Sequence, residues 1–239
     1  MKYVLIWDIS ERNGRTMDGN GYKAVYQGGS GEIEEKKSRF IATVRPVESE
    51  EEAASFIAEM KKRYWDARHN CSAFIIGRNQ ELTRCSDDGE PSGTAGRPML
   101  DVLLKEGICN AAVVVTRYFG GTLLGTGGLV RAYQRSVQEG LKNCVIIEKK
   151  QGQELEIGTD YNGMGRIQYL LGNEGIAVLD TAYSDEVKIT VIVPEEKKAY
   201  IEKSIIDATG AKAELVWKRK TEFAQNGKEL LLFAVDTGE

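Results

Sequence analysis

The feature that most constrains the fold is a run of apolar residues that leads through a glycine-rich segment into an amphipathic helix. Residues 111–115 (AAVVV) are apolar without interruption, which is typical of a strand buried on both faces. Residues 116–128 contain five glycines, and Leu129, Tyr133 and Val137 then recur at helical spacing. The sequence therefore predicts a central strand, a glycine-rich turn and a helix within an α+β domain.

The start of this helix is a candidate anion site. The first amides of a helix have no partner within it, and glycines at positions 127 and 128 let a ligand approach the backbone. Arg117 and Arg131 supply positive charge nearby. The alternative is that Gly127 and Gly128 serve only close packing of strand and helix, and their spacing matches neither nucleotide-binding glycine motif.

A second glycine-rich helix start lies upstream. Gly93 and Gly96 lead into an Arg-Pro pair at 97–98, and proline is favoured in the first turn of a helix. If the two starts face one groove, the arginines of both segments make it attractive to phosphate or carboxylate groups. The residues predicted to bind an anion or nucleic acid are Lys36, Arg39, His69, Gly93, Gly96, Arg97, Arg117, Gly127, Gly128 and Arg131.

Three carboxylates, Asp87, Asp88 and Glu90, precede that second start. Clustered carboxylates hold Mg²⁺ or act as acid and base, so the alternative function is a metal-dependent enzyme acting on a phosphorylated small molecule. The alternative is a structural role. The carboxylates would then hydrogen-bond to the backbone of their own turn, or form ion pairs with Arg97 or Arg117. Patterns for other metals and cofactors are absent, so no cofactor beyond this Mg²⁺ is expected.

Residues 22–150 are predicted to form the first domain. A strand is expected over residues 33–44, and Ser49 begins a helix through a capping box. Residues 71–84 are predicted to form a hairpin. Together with the central strand and its helix, these elements make a β/α domain.

The second domain is predicted to span residues 151–239, after a polar joint at 148–153. Its hydrophobic pattern indicates strand, helix, strand, strand, helix and strand, the order of a ferredoxin-like fold. A last strand over 229–235 is expected to add at an edge of its sheet. Residues 1–21 are interpreted as an N-terminal extension, with Met17 as a candidate start.

Composition narrows the class of protein. No apolar run approaches the ~20 residues of a membrane span, and the opening apolar run is shorter than that of a secretory signal. We therefore expect a cytoplasmic protein with four reduced cysteines. Residues 1–150 hold 22 basic and 20 acidic residues, whereas residues 151–239 hold 10 and 16. The acidic second part argues against a protein that coats duplex nucleic acid.

Four ordered motifs resemble those of the IMPACT/YigZ-like family. They are KSRFI at 37–41, DARHNC at 66–71, SDDGEPSGTAG at 86–96 and RYFGGTLLGTGGL at 117–129. The resemblance covers roughly residues 22–140. The segment 150–239 is similar to the C-terminal domain of bacterial members.

The resemblance implies a first domain folded like the second domain of a ribosomal small-subunit protein, and a second domain like the last domain of elongation factor G. Eukaryotic relatives inhibit the amino-acid-starvation kinase by competing for its ribosome-associated activator, so the resemblance points to translation. It assigns no catalytic residue. We expect a regulatory binding protein that meets RNA, the ribosome or a translation-related protein, and no membrane. A protein-interaction scaffold that uses the acidic second domain is the further alternative.

Overall fold

The computed structural model describes residues 5–7, 21–227 and 229–234. Contacts divide these residues into two units, of which the first is residues 22–148 and the second is the remainder. Most of the predicted N-terminal extension, Met17 included, lies outside the described residues.

Strands and helices follow one another along the chain in a mixed α+β order. They are β1 (Leu5–Trp7), β2 (Tyr22–Gln27), β3 (Gly29–Glu35), β4 (Ser38–Pro46), α1 (Glu50–Arg63), β5 (His69–Ile76), β6 (Leu82–Ser86), α2 (Gly96–Glu106), β7 (Ile108–Cys109), β8 (Ala111–Tyr118), α3 (Thr126–Lys142), β9 (Val145–Thr159), α4 (Tyr161–Asn173), β10 (Val178–Tyr183), β11 (Val187–Pro194), α5 (Lys198–Thr209), β12 (Glu214–Asn226) and β13 (Glu229–Ala234). Among the described residues, no helix combines the length and apolarity that crossing a membrane requires.

The first unit is built on a five-stranded antiparallel sheet in the order β3-β4-β8-β5-β6. The predicted central strand is confirmed as β8, and its apolar run is unbroken because both faces of the strand are covered. Val113 and Val115 pack in a core with α2 and α3. Ala112 and Val114 pack on the opposite face with α1. β2 and β7 add a parallel pair to this unit.

The predicted single strand over residues 33–44 is wrong, because the chain turns back within it. β3 and β4 form a hairpin in which Glu35 lies opposite Ser38. Lys36 and Lys37 make the two-residue turn, with φ angles of 46° and 66°. Two successive positive φ angles suit the right-handed twist of a hairpin, and Asn or Gly usually signals them. Two exposed lysines therefore form the hairpin tip.

The second unit confirms the predicted ferredoxin-like order. Its four main strands lie in the order β12-β9-β11-β10, all antiparallel, with α4 and α5 packed on one face. β13 adds to β12 as predicted, and β1 pairs in parallel with the outer side of β13. Residues 148–153, predicted as an irregular joint, lie instead within β9, which runs continuously from Val145 to Thr159.

Candidate functional site

Four loops that carry the sequence motifs leave the sheet of the first unit at the same end. β8 ends beside the start of β4, where Tyr118 lies opposite Arg39, and beside the start of β5, where Arg117 lies opposite His69. β6 ends there too, since it is antiparallel to β5. The β3–β4 turn, the α1–β5 loop, the β6–α2 loop and the β8–α3 loop therefore share this end, which we name the loop end. Both glycine-rich helix starts lie here.

The start of α2 is occupied by a carboxylate of the protein itself. Asp87 Oδ1 accepts from the amides of Ala95 and Gly96 at 3.0 and 2.8 Å, and its Oδ2 accepts from the amide of Gly93 at 2.8 Å. Burial alone would raise the pKa of Asp87, but these three amides hold it below its ordinary value. The amides of Gly93 and Gly96, predicted to bind an external anion, are therefore already satisfied.

Asp88 ties the same loop to α1 and β5. Its carboxylate forms an ion pair with Lys61 and accepts from the amide of Asn70 at 2.7 Å. His69 Nδ1 lies 2.9 Å from the carbonyl oxygen of Asp88. Because a carbonyl oxygen only accepts, Nδ1 carries the proton. His69 thus orients the loop through its backbone, and the anion-binding role predicted for it would have to use the other ring nitrogen.

Glu90 and Arg117 form a buried ion pair behind these contacts. Arg117 Nη1 donates to Glu90 Oε1 at 2.6 Å, and the Tyr133 hydroxyl donates to the same oxygen at 2.9 Å. The guanidinium carbon of Arg117 lies 5.3 Å from the ring centroid of Phe40 and 5.7 Å from that of Phe119. Arg117 is therefore neutralised inside the domain, contrary to its predicted role as a charge facing a ligand.

The thiol of Cys71 lies in the same network. Its Sγ donates to the carbonyl oxygen of Asp87 at 2.9 Å and lies 3.3 Å from the Tyr133 hydroxyl. Burial raises the pKa of the Cys71 thiol to about 12. A thiol that stays protonated is a poor nucleophile, so Cys71 serves packing and hydrogen bonding.

The three carboxylates predicted to serve a metal-dependent enzyme bond to the protein itself. The carboxylates of Asp87, Asp88 and Glu90 each form hydrogen bonds or ion pairs with different protein partners. Within the described part of the chain, no group of three or more His, Cys, Asp or Glu side chains could hold a metal ion. These contacts give the three carboxylates a structural role in holding the loop, in place of the Mg²⁺ site predicted for them.

Two of the predicted arginines are exposed but paired. Arg39 donates to both carboxylate oxygens of Glu32, at 2.7 and 2.9 Å. Arg97 donates to Asp101 one turn along α2, at 2.8 Å. Exposed ion pairs of this kind are weak, but they reduce the net charge that each arginine offers to a ligand.

Four exposed cations at the loop end form no ion pair or hydrogen bond with any described residue. They are Lys36, Lys37, Arg68 and Arg131. Sequence analysis selected Lys36 and Arg131 and missed Lys37 and Arg68. The available signal was position, since Lys37 and Arg68 both lie within the motifs.

Arg131 lies on the part of α3 that approaches the hairpin tip. α3 packs along β3 in the opposite direction, with Gly31 against Glu139 and an ion pair of 3.1 Å between Arg135 and Glu35. Arg131 is one helical turn closer to the loop end than Arg135. The turn of Lys36 and Lys37 directly follows Glu35, so these lysines and Arg131 share one side of the loop end.

The start of α3 is open, in contrast to that of α2. Gly125 occupies the N-cap position with a φ of 70°, which favours glycine, and no side chain caps the helix. Gly125, Thr126 and Gly127 are exposed. No described side chain occupies the first amides of α3, and Gly127 is exposed whereas Gly128 is half-buried; anion binding at these two glycines stays a prediction.

Large apolar side chains are exposed among these cations. Trp65 and Leu123 are each 82% exposed, and Phe119 is 47% exposed. The Tyr118 hydroxyl donates to Asp66 Oδ1 at 2.8 Å, which holds the segment of Trp65 beside that of Phe119. We name the exposed set the loop-end surface; it comprises Lys36, Lys37, Trp65, Arg68, Phe119, Leu123, residues 125–128 and Arg131.

The second unit has a concave region of its own. A cavity of about 540 Å³ lies between α4 and α5, with Arg166, Tyr169, Leu170 and Tyr200 in its lining. Lys197 and the Tyr200 hydroxyl both donate hydrogen bonds to Glu174, and these two bonds lower the pKa of its carboxyl. No sequence motif pointed to this cavity, and it shows no cluster of reactive groups.

Comparison with known proteins places this architecture in a class. A family model for the Impact N-terminal domain matches residues 36–141, and a model for a domain of unknown function, DUF1949, matches residues 157–212. Fold and matches together define a two-domain α+β protein, with an IMPACT N-terminal domain followed by a small C-terminal domain.

Relatives of similar length establish the family. The chain is 40% identical over 196 residues to the IMPACT family member YvyE of Bacillus subtilis, covering 82% of this chain and 90% of that protein. It is 35% identical to the IMPACT family member YigZ of Escherichia coli, covering 76% and 90%. A crystal structure of a hypothetical protein superposes with a TM-score of 0.53 at 33% identity, covering 82% of this chain and 97% of the other. The chain belongs to the IMPACT family.

Proposed function

We propose that this protein is a regulatory binding protein of translation whose first unit binds RNA through the loop-end surface. The observation that carries the proposal is the group of unpaired, exposed cations Lys36, Lys37 and Arg131 beside the open start of α3. A cation without an internal partner keeps its charge for a ligand. Neutralisation of phosphates by such cations supplies most non-specific affinity for nucleic acid.

The backbone of α3 adds to this charge. A helix start carries the equivalent of about half a positive elementary charge, and its free amides bind phosphate oxygens. At Gly127 a side chain would have met no atom nearer than Arg131 Nη1, at 3.9 Å, so the position is open. Amides and guanidinium on one face suit several phosphates in a chain better than a single carboxylate.

Family membership supports the link to translation. The domains that the family resemblance implies are like those of a ribosomal small-subunit protein and of elongation factor G. A role beside the ribosome places the protein in the cytoplasm. The competing ligand is an acidic surface of a translation-related protein, which the same cations would also attract.

The test is RNA binding by the full chain across a salt series, measured by fluorescence anisotropy with a labelled RNA. Affinity is expected to fall as salt rises, and each phosphate contact removed should reduce the slope of log K against log salt by about 0.7 to 0.9. The informative variants are Arg131→Ala and Lys36→Ala with Lys37→Ala. Arg117→Ala is unsuitable, because it breaks a buried ion pair.

A matched control is Lys105→Ala. Lys105 is exposed and lies in the last turn of α2, away from the helix start at the loop end. Its removal should leave both affinity and slope unchanged. Binding that ignores salt, or that survives the combined loss of Lys36, Lys37 and Arg131, would contradict the proposal.

A further inference from the structure

The aromatic ring of Phe119 is supported from beneath by a fixed cation. Phe119 follows β8 directly, and the guanidinium carbon of Arg117 lies 5.7 Å from its ring centroid. Arg117 is itself held by Glu90 at 2.6 Å, and its side chain is only 7% exposed. The ring therefore rests on a rigid support while 47% of the residue stays open to solvent.

The Phe119 ring is notable because it belongs to the same loop-end surface as the cations and the start of α3. A single exposed apolar residue is common on soluble proteins and requires no explanation. Phe119 precedes the N-cap Gly125 of α3 by six residues, and the exposed Leu123 lies between them in the same loop. Phosphate-binding groups and an aromatic ring carried by one loop suit the two parts of a nucleotide, its phosphate and its base.

A ring beside phosphate-binding groups favours single-stranded RNA over duplex RNA. A base stacks on a protein ring only when its face is free, as in single strands, loops and bulges. In an A-form duplex each base face is covered by its neighbours, and only phosphates and sugars reach the surface. Charge alone would not distinguish the two forms.

We propose that the loop-end surface selects single-stranded RNA over duplex RNA by stacking an unpaired base on Phe119. This inference rests on the proposed function, because it specifies the form of RNA that the same surface binds. The carboxylate side chains of an acidic protein segment would use the cations but have no flat ring to place on Phe119. A leucine at that position would serve its apolar side chains as well.

The experiment compares an unstructured 12-nucleotide RNA with a 12-base-pair duplex of the same sequence, each titrated with the full chain. The single strand is expected to bind at least about fivefold more tightly, which corresponds to the lower bound of about 1 kcal/mol for one stacked base. Phe119→Leu should abolish this difference and leave the affinity for the duplex unchanged. The salt slope should not change, because no cation is removed.

Two variants keep the result interpretable. Phe119→Trp retains a ring and should preserve the preference for single strands. Tyr183→Leu removes an aromatic residue that is 61% exposed in the second unit, and it should have no effect. Thermal unfolding of each variant separates loss of binding from loss of fold.

The failures are distinguishable. If neither RNA binds at low salt, the proposed function itself falls. If both RNAs bind equally, or Phe119→Leu behaves as the unaltered protein, the function stands and this inference is overturned. Displacement of RNA by poly-glutamate as efficiently as by unlabelled RNA would also overturn it, in favour of an acidic protein ligand.

Discussion

Glu90 and Arg117 form an ion pair whose side chains are 3% and 7% exposed, with Oε1 and Nη1 2.6 Å apart. Glu90 belongs to the β6–α2 loop and Arg117 to the end of β8, and Tyr133 of α3 donates to the same carboxylate. One carboxylate therefore joins three of the elements that frame the loop end. The carboxylates of Asp87, Asp88 and Glu90 thus hold in place the loops that carry the loop-end surface.

Breaking this pair is expected to destabilise the fold strongly. Arg117→Met leaves the Glu90 carboxylate buried without its partner, which should lower the free energy of unfolding by about 3 to 5 kcal/mol. Urea unfolding measures the change. The control is Arg39→Met, because the pair of Arg39 with Glu32 is about half exposed and should contribute far less to stability. Equal losses in the two variants would show that the Glu90 pair is not desolvated.

Asp87 is expected to stabilise the start of α2 in a pH-dependent way. Asp87→Ala removes the acceptor of three backbone amides, and the expected loss is about 1 to 3 kcal/mol. The folded pKa of Asp87 is depressed, since the amides outweigh the opposing effect of burial. Its stabilisation is therefore fully present above the unfolded pKa of about 3.9 and is lost as pH falls through the folded pKa.

Urea unfolding of the unaltered protein and of Asp87→Ala, at neutral pH and at pH values below about 4, tests this sign. The difference between the two proteins should be constant near neutrality and should shrink in acid. A difference that is unchanged in acid would mean that the Asp87 carboxylate is not what caps α2.

The cysteines should differ sharply in reactivity. Cys71 is buried and its thiol pKa is raised to about 12, whereas Cys85 is exposed on β6. Iodoacetamide at mild alkaline pH should modify Cys85 first in the folded protein, and Cys71 only as fast as the protein unfolds. Peptide mass spectrometry over time follows both sites, and labelling in denaturant provides the control. Similar rates for the two cysteines in the folded protein would contradict the buried network.

Gly120 is expected to tolerate no side chain. A Cβ on Gly120 would overlap the backbone of Lys37, and its amide donates to Ser38 Oγ at 3.1 Å. Gly120→Ala should therefore lower the free energy of unfolding by about 1 to 3 kcal/mol and weaken RNA binding, because the lysine turn must shift. In Gly165→Ala the new Cβ meets no atom within 4 Å, and helix propensity predicts a neutral or slightly stabilising effect. A Gly120→Ala protein as stable as the control would rule out this contact.

Local signals predicted many of the elements. Ser49 is the N-cap residue of α1, and its Oγ accepts from the amide of Glu52 at 3.1 Å, as the capping box indicated. The apolar run at 111–115 correctly predicted β8. Both faces of this strand are covered, so none of its positions requires a polar side chain. Capping and hydrophobic periodicity depend on residues that are near each other in the chain, so the sequence alone is enough to predict their effect.

The errors arose where pairing between distant segments overrides local preference. Lys36 and Lys37 adopt left-handed conformations without the glycine or asparagine that normally signals them, because β3 and β4 pair on either side. Gln151 and Gly152 lie in a strand despite their turn-forming composition, since both pair with β12. In each case backbone hydrogen bonds to another strand decide the conformation.

The amino-acid sequence by itself determined the family, the order of the ferredoxin-like strands and helices, and the segments that carry charge and glycine. Tertiary structure alone decided which charges remain for a ligand. Arg117 meets Glu90 across 27 residues, Asp87 takes the amides of α2, and Lys36, Lys37 and Arg131 are left without partners. Electrostatic pairing depends on distances of a few ångströms between groups far apart in the chain, and strand register sets those distances.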